Sequence, residues 1–379
     1  MDDRRDRAGI REPLPLFLSR LPAAARLMPY LEQIDANRQH ANFGPLEARL
    51  ARAIESHHKL DAGNVALTAN GSLALVHALV AAGAKSGGLA AMPAWTYAAT
   101  AAAAAAAGLE PWFLDVDENT WALDPDAVAA ALASAPAPVA AVVVVAPFGN
   151  PADMAAWEKL RDRSGVPVAI DAANGFDSLV VGSVLTMVSL HATKTLGVGE
   201  GGFVACTDRD LIRRVRGLAN HGFTAPGEAG LRGLNAKLSE YAAAVGLAAL
   251  DDWAGTRAAY LGLKRAYAAA LAAVPGLSPA PGDGADWVTS TCNVVLPGDA
   301  APVIAALNAQ GVGARRWWGA PCHHQPAYAG CRRQQLPVTE KLASRVIGLP
   351  FFLGMGPDDV ARVADALAET LAGVPAGER

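Results

Sequence analysis

The chain has 379 residues, with 32 Lys and Arg against 36 Asp and Glu, a net charge of −4, and 52% apolar residues. This composition excludes a disordered chain, which needs low hydrophobicity and high charge. No Lys/Arg run supplies the electrostatic footprint of a nucleic-acid binder.

The first seven residues, Met-Asp-Asp-Arg-Arg-Asp-Arg, carry charge with no apolar core behind it, so no signal peptide is expected. Residues 1–42 read as an arm with short helical pieces, broken first at Pro13 and Pro15. A helix is expected from Pro45, where Leu46, Leu50 and Ile54 recur at fourfold spacing. Strands and helices then alternate. Strands are expected over 64–69, up to Pro93, over 112–116, 139–146, 166–171, 186–190 and 203–206. Helices are expected from Ser72 to about Ala82, over the alanine-rich 98–109, over 124–133 and over 154–163. The alanine-rich stretch is too short and too weakly apolar to span a bilayer. This β-α repetition predicts a mostly parallel sheet wrapped by helices. After about residue 237 the pattern changes. Residues 238–273 read as helix, bent at Gly255, and a Pro/Gly-rich stretch follows over 275–284. A strand over 290–296, a helix over 301–309, a strand around 313–317 and a last helix over 357–371 make a smaller α+β unit. The expected division is an arm (1–42), a large domain (43–255) and a small C-terminal domain (256–379). A soluble cytoplasmic protein with a large core is the corresponding expectation.

Four cysteines, Cys206, Cys292, Cys322 and Cys331, are too few and too scattered for a disulfide scaffold. Gly197-Val-Gly199-Glu-Gly-Gly202 fits the G-x-G-x-x-G spacing, but Lys194-Thr195-Leu196 precede it and a strand follows. A dinucleotide fingerprint needs a strand before and a helix after. The glycines read better as a tight turn beside a bound group. Cys322-His323-His324 with Cys331 are ligand types for zinc. They lack a Cys-x-x-Cys, and read better as a loop lining a pocket; no metal is expected.

A third group fits one cofactor. Lys194 follows a strand and precedes the glycine turn. Asp171 closes an apolar strand, and strand C-termini border the ligand crevice of an α/β sheet. Asn70-Gly71-Ser72 lies between strand and helix, where backbone N–H groups make a phosphate seat. Trp95-Thr96-Tyr97 offers a flat ring after another strand. A phosphate, a π ring, a ring nitrogen and an aldehyde match this set, and pyridoxal 5′-phosphate (PLP) carries all four.

In order and spacing these segments resemble the DegT/DnrJ/StrS family, the PLP-dependent nucleotide-sugar aminotransferases of fold type I. The resemblance runs through Asn42-Phe-Gly-Pro-Leu-Glu47, Asn70-Gly-Ser72, Pro93-Ala-Trp-Thr-Tyr97, Asp115-Val-Asp117, Leu123-Asp-Pro125 and Asp171-Ala-Ala-Asn174. It continues through Ser189-Leu-His-Ala-Thr-Lys194, Glu200-Gly-Gly202, Asn220-His-Gly222 and Gly233-Leu-Asn-Ala-Lys-Leu-Ser-Glu240. It implies an α/β fold with a mostly parallel seven-stranded sheet, sandwiched by helices, and a smaller C-terminal α+β domain. Lys194 would hold PLP as a Schiff base and serve as general acid/base, and Asp171 would pair with the pyridine nitrogen. Tyr97 would stack on the ring, and Gly71, Ser72 and Ser189 would hold the phosphate. Asn174 stands where the family has Gln or His, with cofactor contact expected there. Asn235 would reach the neighbouring subunit's phosphate in a homodimer with shared sites. His221, Arg315 and His323 are the substrate candidates, with specificity expected around them and around Phe43, Trp317 and Trp318. A dehydratase branch of the family carries His in place of the lysine, so Lys194 implies transamination. The implied reaction is ping-pong transfer of an amino group from glutamate to a nucleotide-linked keto-deoxyhexose, of the dTDP-4-keto-6-deoxyhexose type. A keto-cyclitol acceptor, and a PLP-binding regulator without turnover, are the alternatives.

Overall fold

The computed structural model describes residues 12–282 and 284–373. The charged opening heptapeptide, Asp283 of the Pro/Gly-rich stretch and residues 374–379 of the expected small domain lie outside them.

Short strands rich in Val and Ala form an eight-stranded sheet. In spatial order its strands begin at Val65, Gly202, Leu185, Val168, Val139, Leu89, Glu110 and Arg332. Only Gly202–Ala205 runs against its two neighbours. The other strands therefore point one way, as right-handed β-α-β crossovers require. Seven of these strands match the expected sheet. The eighth, Arg332–Arg333, pairs in parallel with Trp112 and Phe113. Two exposed arginines carry no alternation, so nothing in the sequence marked them as a strand.

Alternate residues feed two cores, one on each face. Val142, Val144, Val168, Ile170 and Phe203 join one core with Leu50, Ile54, Val128 and Trp157 of the helices Pro45–His57, Pro125–Ala133 and Met154–Ser164. Ala141, Val143, Ala169 and Val204 join the other with Leu75, Ala101 and Val215 of Gly71–Ala81, Ala98–Ala106 and Arg209–Ala219. Burial on both faces explains why the strands read as continuous apolar runs.

The long helical segment breaks at Asp252, which lies between Glu240–Asp251 and Trp253–Leu271, not at Gly255. Gly255 is inside the second helix with no neighbour crowding it, so nothing there forces a bend. The expected strand around 313–317 reduces to one bridge between Arg315 and Gly348. The chain turns away at once, through the Gly319 N–H to the Arg316 carbonyl (3.1 Å). Three antiparallel strands, Ser278–Pro279, Cys292–Val295 and Val346–Leu349, make the smaller sheet. The helices Arg209–Ala219 and Pro337–Arg345 were not foreseen. The arm holds one continuous helix, Ala24–Asn37, with Pro29 inside it and Tyr30 and Ile34 buried. Before that helix the arm lies along the C-terminal unit. Leu14 donates to the Gly311 carbonyl and accepts from Gly313, and Leu16 accepts from Phe351.

Candidate active site

Because the strands share one direction, Thr68, Pro93, Leu114, Val145, Asp171 and Ser189 all end at one edge of the sheet, where Gly202 begins. The register aligns Thr68, Gly202 and Ser189, and aligns Val145 with Asp171. A cleft of about 680 Å³ opens there.

The first wall is a helix start. Asn70 caps Gly71–Ala81, its Oδ1 accepting from the Leu73 N–H at 2.9 Å. Gly71, Ser72 and Ser189 line the cleft beside this cap. The approach is so close that only glycine fits. A Cβ on Gly202 would stand 2.8 Å from the Gly71 nitrogen, and one on Gly71 would stand 3.0 Å from the Ser189 Cβ. Eleven aligned helical residues direct a positive end at this spot, which suits an anion.

The second wall is a buried carboxylate. Asp171 is 6% exposed. Its Oδ2 accepts from the Thr100 hydroxyl at 2.8 Å and its Oδ1 from the Ala173 N–H at 3.1 Å. Thr100 in turn shares a 2.8 Å hydrogen bond with Thr96. Burial raises the Asp171 pKa, while these donors and the Lys194 charge pull it back. The Lys194 Nζ donates to Asn174 Oδ1 at 2.9 Å. Burial lowers its pKa to about 8, with Asp171 opposing that shift. An amine so placed gives up its proton more readily than an exposed lysine does.

The mouth is aromatic. Tyr97, Phe17, Phe148, Trp317 and Trp318 line it with Arg315. Phe148 stacks on Trp318 at 4.1 Å between centroids, and Phe17 meets Trp317 edge-on at 5.8 Å. The Arg315 guanidinium lies over the Trp317 ring at 4.7 Å.

The structure thus brings Gly71, Ser72, Tyr97, Asp171, Asn174, Ser189, Lys194 and Arg315 into one cleft. It leaves His221, Asn235 and His323 outside the lining. His221 and Asn235 are exposed on the 220–235 segment, where Asn220 and Asn235 form a bridge. His323 is 4% exposed, and its Nε2 is 2.7 Å from Glu340 Oε1; the His324 Nε2 reaches the same oxygen at 2.8 Å. Of the Cys322-His323-His324 and Cys331 grouping, His323 and His324 converge with Glu340 among the described residues, and neither cysteine joins them. The glycines 197–202 lead into the strand Gly202–Ala205, as read from the sequence. Sequence reasoning missed Thr100. Its signal was available: it is the one hydroxyl in Ala98–Ala106, an otherwise all-alanine helix.

This donor set fits PLP: a capped helix start with hydroxyls beside it for a phosphate, a buried carboxylate for a ring nitrogen, and an amine for an aldehyde. The DegT/DnrJ/EryC1/StrS aminotransferase family model matches residues 23–368. The protein Rv3402c of Mycobacterium tuberculosis is 30% identical over 372 residues, covering 94% of this chain and 90% of its own. The dTDP-3-amino-3,4,6-trideoxy-alpha-D-glucose transaminase of Streptomyces venezuelae is 32% identical, covering 73% of this chain and 75% of its own. A solved structure of DesI in the presence of its TDP-sugar product superposes with a TM-score of 0.87 at 33% identity, covering 97% of this chain and 95% of that one.

Proposed function

Since this chain belongs to the DegT/DnrJ/EryC1/StrS aminotransferase family and has the fold type I architecture of PLP-dependent aminotransferases, we propose that it aminates a nucleotide-linked keto-deoxyhexose with glutamate as donor. It is an aminotransferase, and PLP is its cofactor. The observation that carries this reading is the cleft itself. A burial-tuned amine and a buried, doubly hydrogen-bonded carboxylate face a helix N-terminus at one sheet edge.

When bound, PLP supplies an aldehyde that condenses with amines and a ring that accepts the electron pair left by a departing α-proton. The chain supplies the rest. In this reading Gly71 and Ser72 at the helix start, with Ser189, seat the phosphate. Asp171 keeps the ring nitrogen protonated, and Thr100 and the Ala173 N–H hold it in place. A cation at that nitrogen would offset the cost of burying the Asp171 charge. Tyr97 covers a ring face. Lys194, once its amine is free, would take the proton from the donor's α-carbon and deliver it, as general acid, to the carbon that carried the cofactor's aldehyde; Asn174 would orient that amine. The aromatic mouth excludes water from the proton transfer. Arg315 faces the anionic part of the donor or the acceptor.

Two supports bear on the acceptor. The Streptomyces venezuelae relative is named as a transaminase of a dTDP sugar, and DesI was solved with a TDP-sugar product. The partner subunit in this reading adds Asn235, which its own chain leaves exposed and outside its own cleft. Leu234 and Tyr241 are large side chains 55% and 49% exposed, as a covering partner would leave them. We place the domain division near residue 255, inside the helix Trp253–Leu271, with the arm as 1–42.

The test is a two-stage assay. The PLP-loaded chain is exposed to glutamate, glutamine or another amino acid, and the aminated form is then offered dTDP- and GDP-linked keto sugars and a free keto-cyclitol. Conversion of the cofactor by glutamate and turnover of a nucleotide-linked keto sugar are expected. Equal turnover of the free cyclitol would overturn the acceptor assignment.

A further inference from the structure

His191 lines the cleft, yet the mechanism above gives it no task. The Thr193 backbone N–H donates to the His191 Nδ1 at 3.2 Å, and the Thr193 hydroxyl lies 2.8 Å from the same atom. A backbone N–H can only donate, so Nδ1 must present its lone pair. The ring proton of the neutral imidazole then sits on Nε2. Nε2 faces the Glu200 carboxylate at 3.6 Å, which favours that tautomer. The His191 carbonyl accepts from the Lys194 N–H at 2.8 Å, and the His191 N–H donates to the Ser189 hydroxyl at 3.3 Å. From within the turn the Ala192 N–H donates to the Gly199 carbonyl, and just before it Leu190 donates to the Gly201 carbonyl and accepts from the Val198 N–H. The turn is therefore a clasp, with Lys194 at its end and Glu200 on its closing limb.

We propose that His191 is a positioning residue: its Nδ1 clamps the turn 191–194, Glu200 fixes the tautomer that can do so, and Lys194 is thereby presented to the cofactor. One residue ties the lysine's backbone to the hydroxyl of the phosphate seat. This inference rests on the reading of Lys194 given above. The geometry also names a replacement. An Asn side chain accepts from the N–H two residues on, in an Asx turn, so Asn at 191 can put Oδ1 where Nδ1 now sits. A Leu there cannot.

The test strips PLP from the full chain and follows its recapture by absorbance, with borohydride-fixed adducts mapped by mass spectrometry. The Kd of His191→Leu for PLP should rise about tenfold, the loss of roughly one net hydrogen bond's worth of preorganisation. Capture at Lys194 should slow in proportion. His191→Asn should return both to within about threefold of the wild type, since it restores the one bond that counts. Glu200→Gln, which removes the carboxylate facing Nε2, should raise the Kd in the same direction as His191→Leu while leaving the thermal midpoint unchanged. Wild-type-like capture by a folded His191→Leu chain would overturn the proposal. So would a folded His191→Asn chain as slow as His191→Leu. If His191→Leu fails to fold, His191→Asn and Glu200→Gln still decide it: a Glu200→Gln chain that captures PLP with the wild-type Kd counts against the clasp. A wild-type chain that captures no PLP would instead sink the assignment of Lys194.

Discussion

At the scale of single residues, the site depends on two ionisable groups moved from their usual ranges by burial. Burial favours the neutral amine of Lys194 and brings it to about 8, while the Asp171 charge opposes that. The sign gives a prediction. In the chain without PLP, labelling of Lys194 by trinitrobenzenesulfonate should rise through about pH 8, well below the ~10.4 of an ordinary exposed lysine. Asp171→Asn removes the opposing charge, so its midpoint should move lower still. Peptide mass spectrometry at a series of pH values measures both, and a midpoint near ~10.4 would contradict the placement. These two residues were legible from the sequence because Asp171 ends an apolar strand and Lys194 follows one, just before a glycine turn. Thr100 stood out as the one hydroxyl among alanines, but its task did not, because its partner lies 71 positions away. The clasp of His191 was also invisible, since a contact of a ring nitrogen with a backbone two residues on leaves no spacing signal.

At the scale of elements, the helix Gly71–Ala81 does two jobs: its start borders the anion seat and its body fills the core. Its single imidazole belongs to the second job. His77 is 2% exposed, and neither ring nitrogen has a partner. Burial lowers its pKa to about 4 from 6.5, and His58 shows the same shift. The unfolded chain therefore takes up these protons first, so stability present above pH 6.5 is lost as the pH falls toward 4. His77→Leu keeps the volume and removes the titration. Its thermal midpoint at neutral pH should match or exceed the wild type's, and it should fall less on acidification. Parallel acid slopes in calorimetry would contradict this account. Elements of this kind were legible wherever burial on both faces gave continuous apolar runs, as in Val139–Val145. Arg209–Ala219 was overlooked although Ile212, Val215, Leu218 and Ala219 recur at helical spacing among Arg and Asp, the signature of a helix buried on one side. The Arg315 strand failed because tertiary turns, not local propensity, end it after one bridge.

At the scale of the whole molecule, one sheet edge collects residues from 17 to 318 into a single cleft, and a second subunit is proposed to complete it. If Asn235 serves the partner's site, two inactive chains should complement each other. Lys194→Ala and Asn235→Asp homodimers, each inactive or nearly so, are dissociated, mixed equally and reassociated. Half of the dimers are then hybrids with one intact site in two, so activity should return to about a quarter of the wild type's. No recovery from a mixture shown to contain hybrids would place Asn235 outside the shared site. No helix among the described residues is long and apolar enough to cross a membrane. The central claim is chemical, and one measurement reaches it directly: borohydride reduction of the PLP-loaded chain, followed by proteolysis and mass mapping. The account predicts one phosphopyridoxyl group, on Lys194, absent from Lys194→Ala. A group fixed to any other lysine, or a wild-type chain that takes up none, would contradict it.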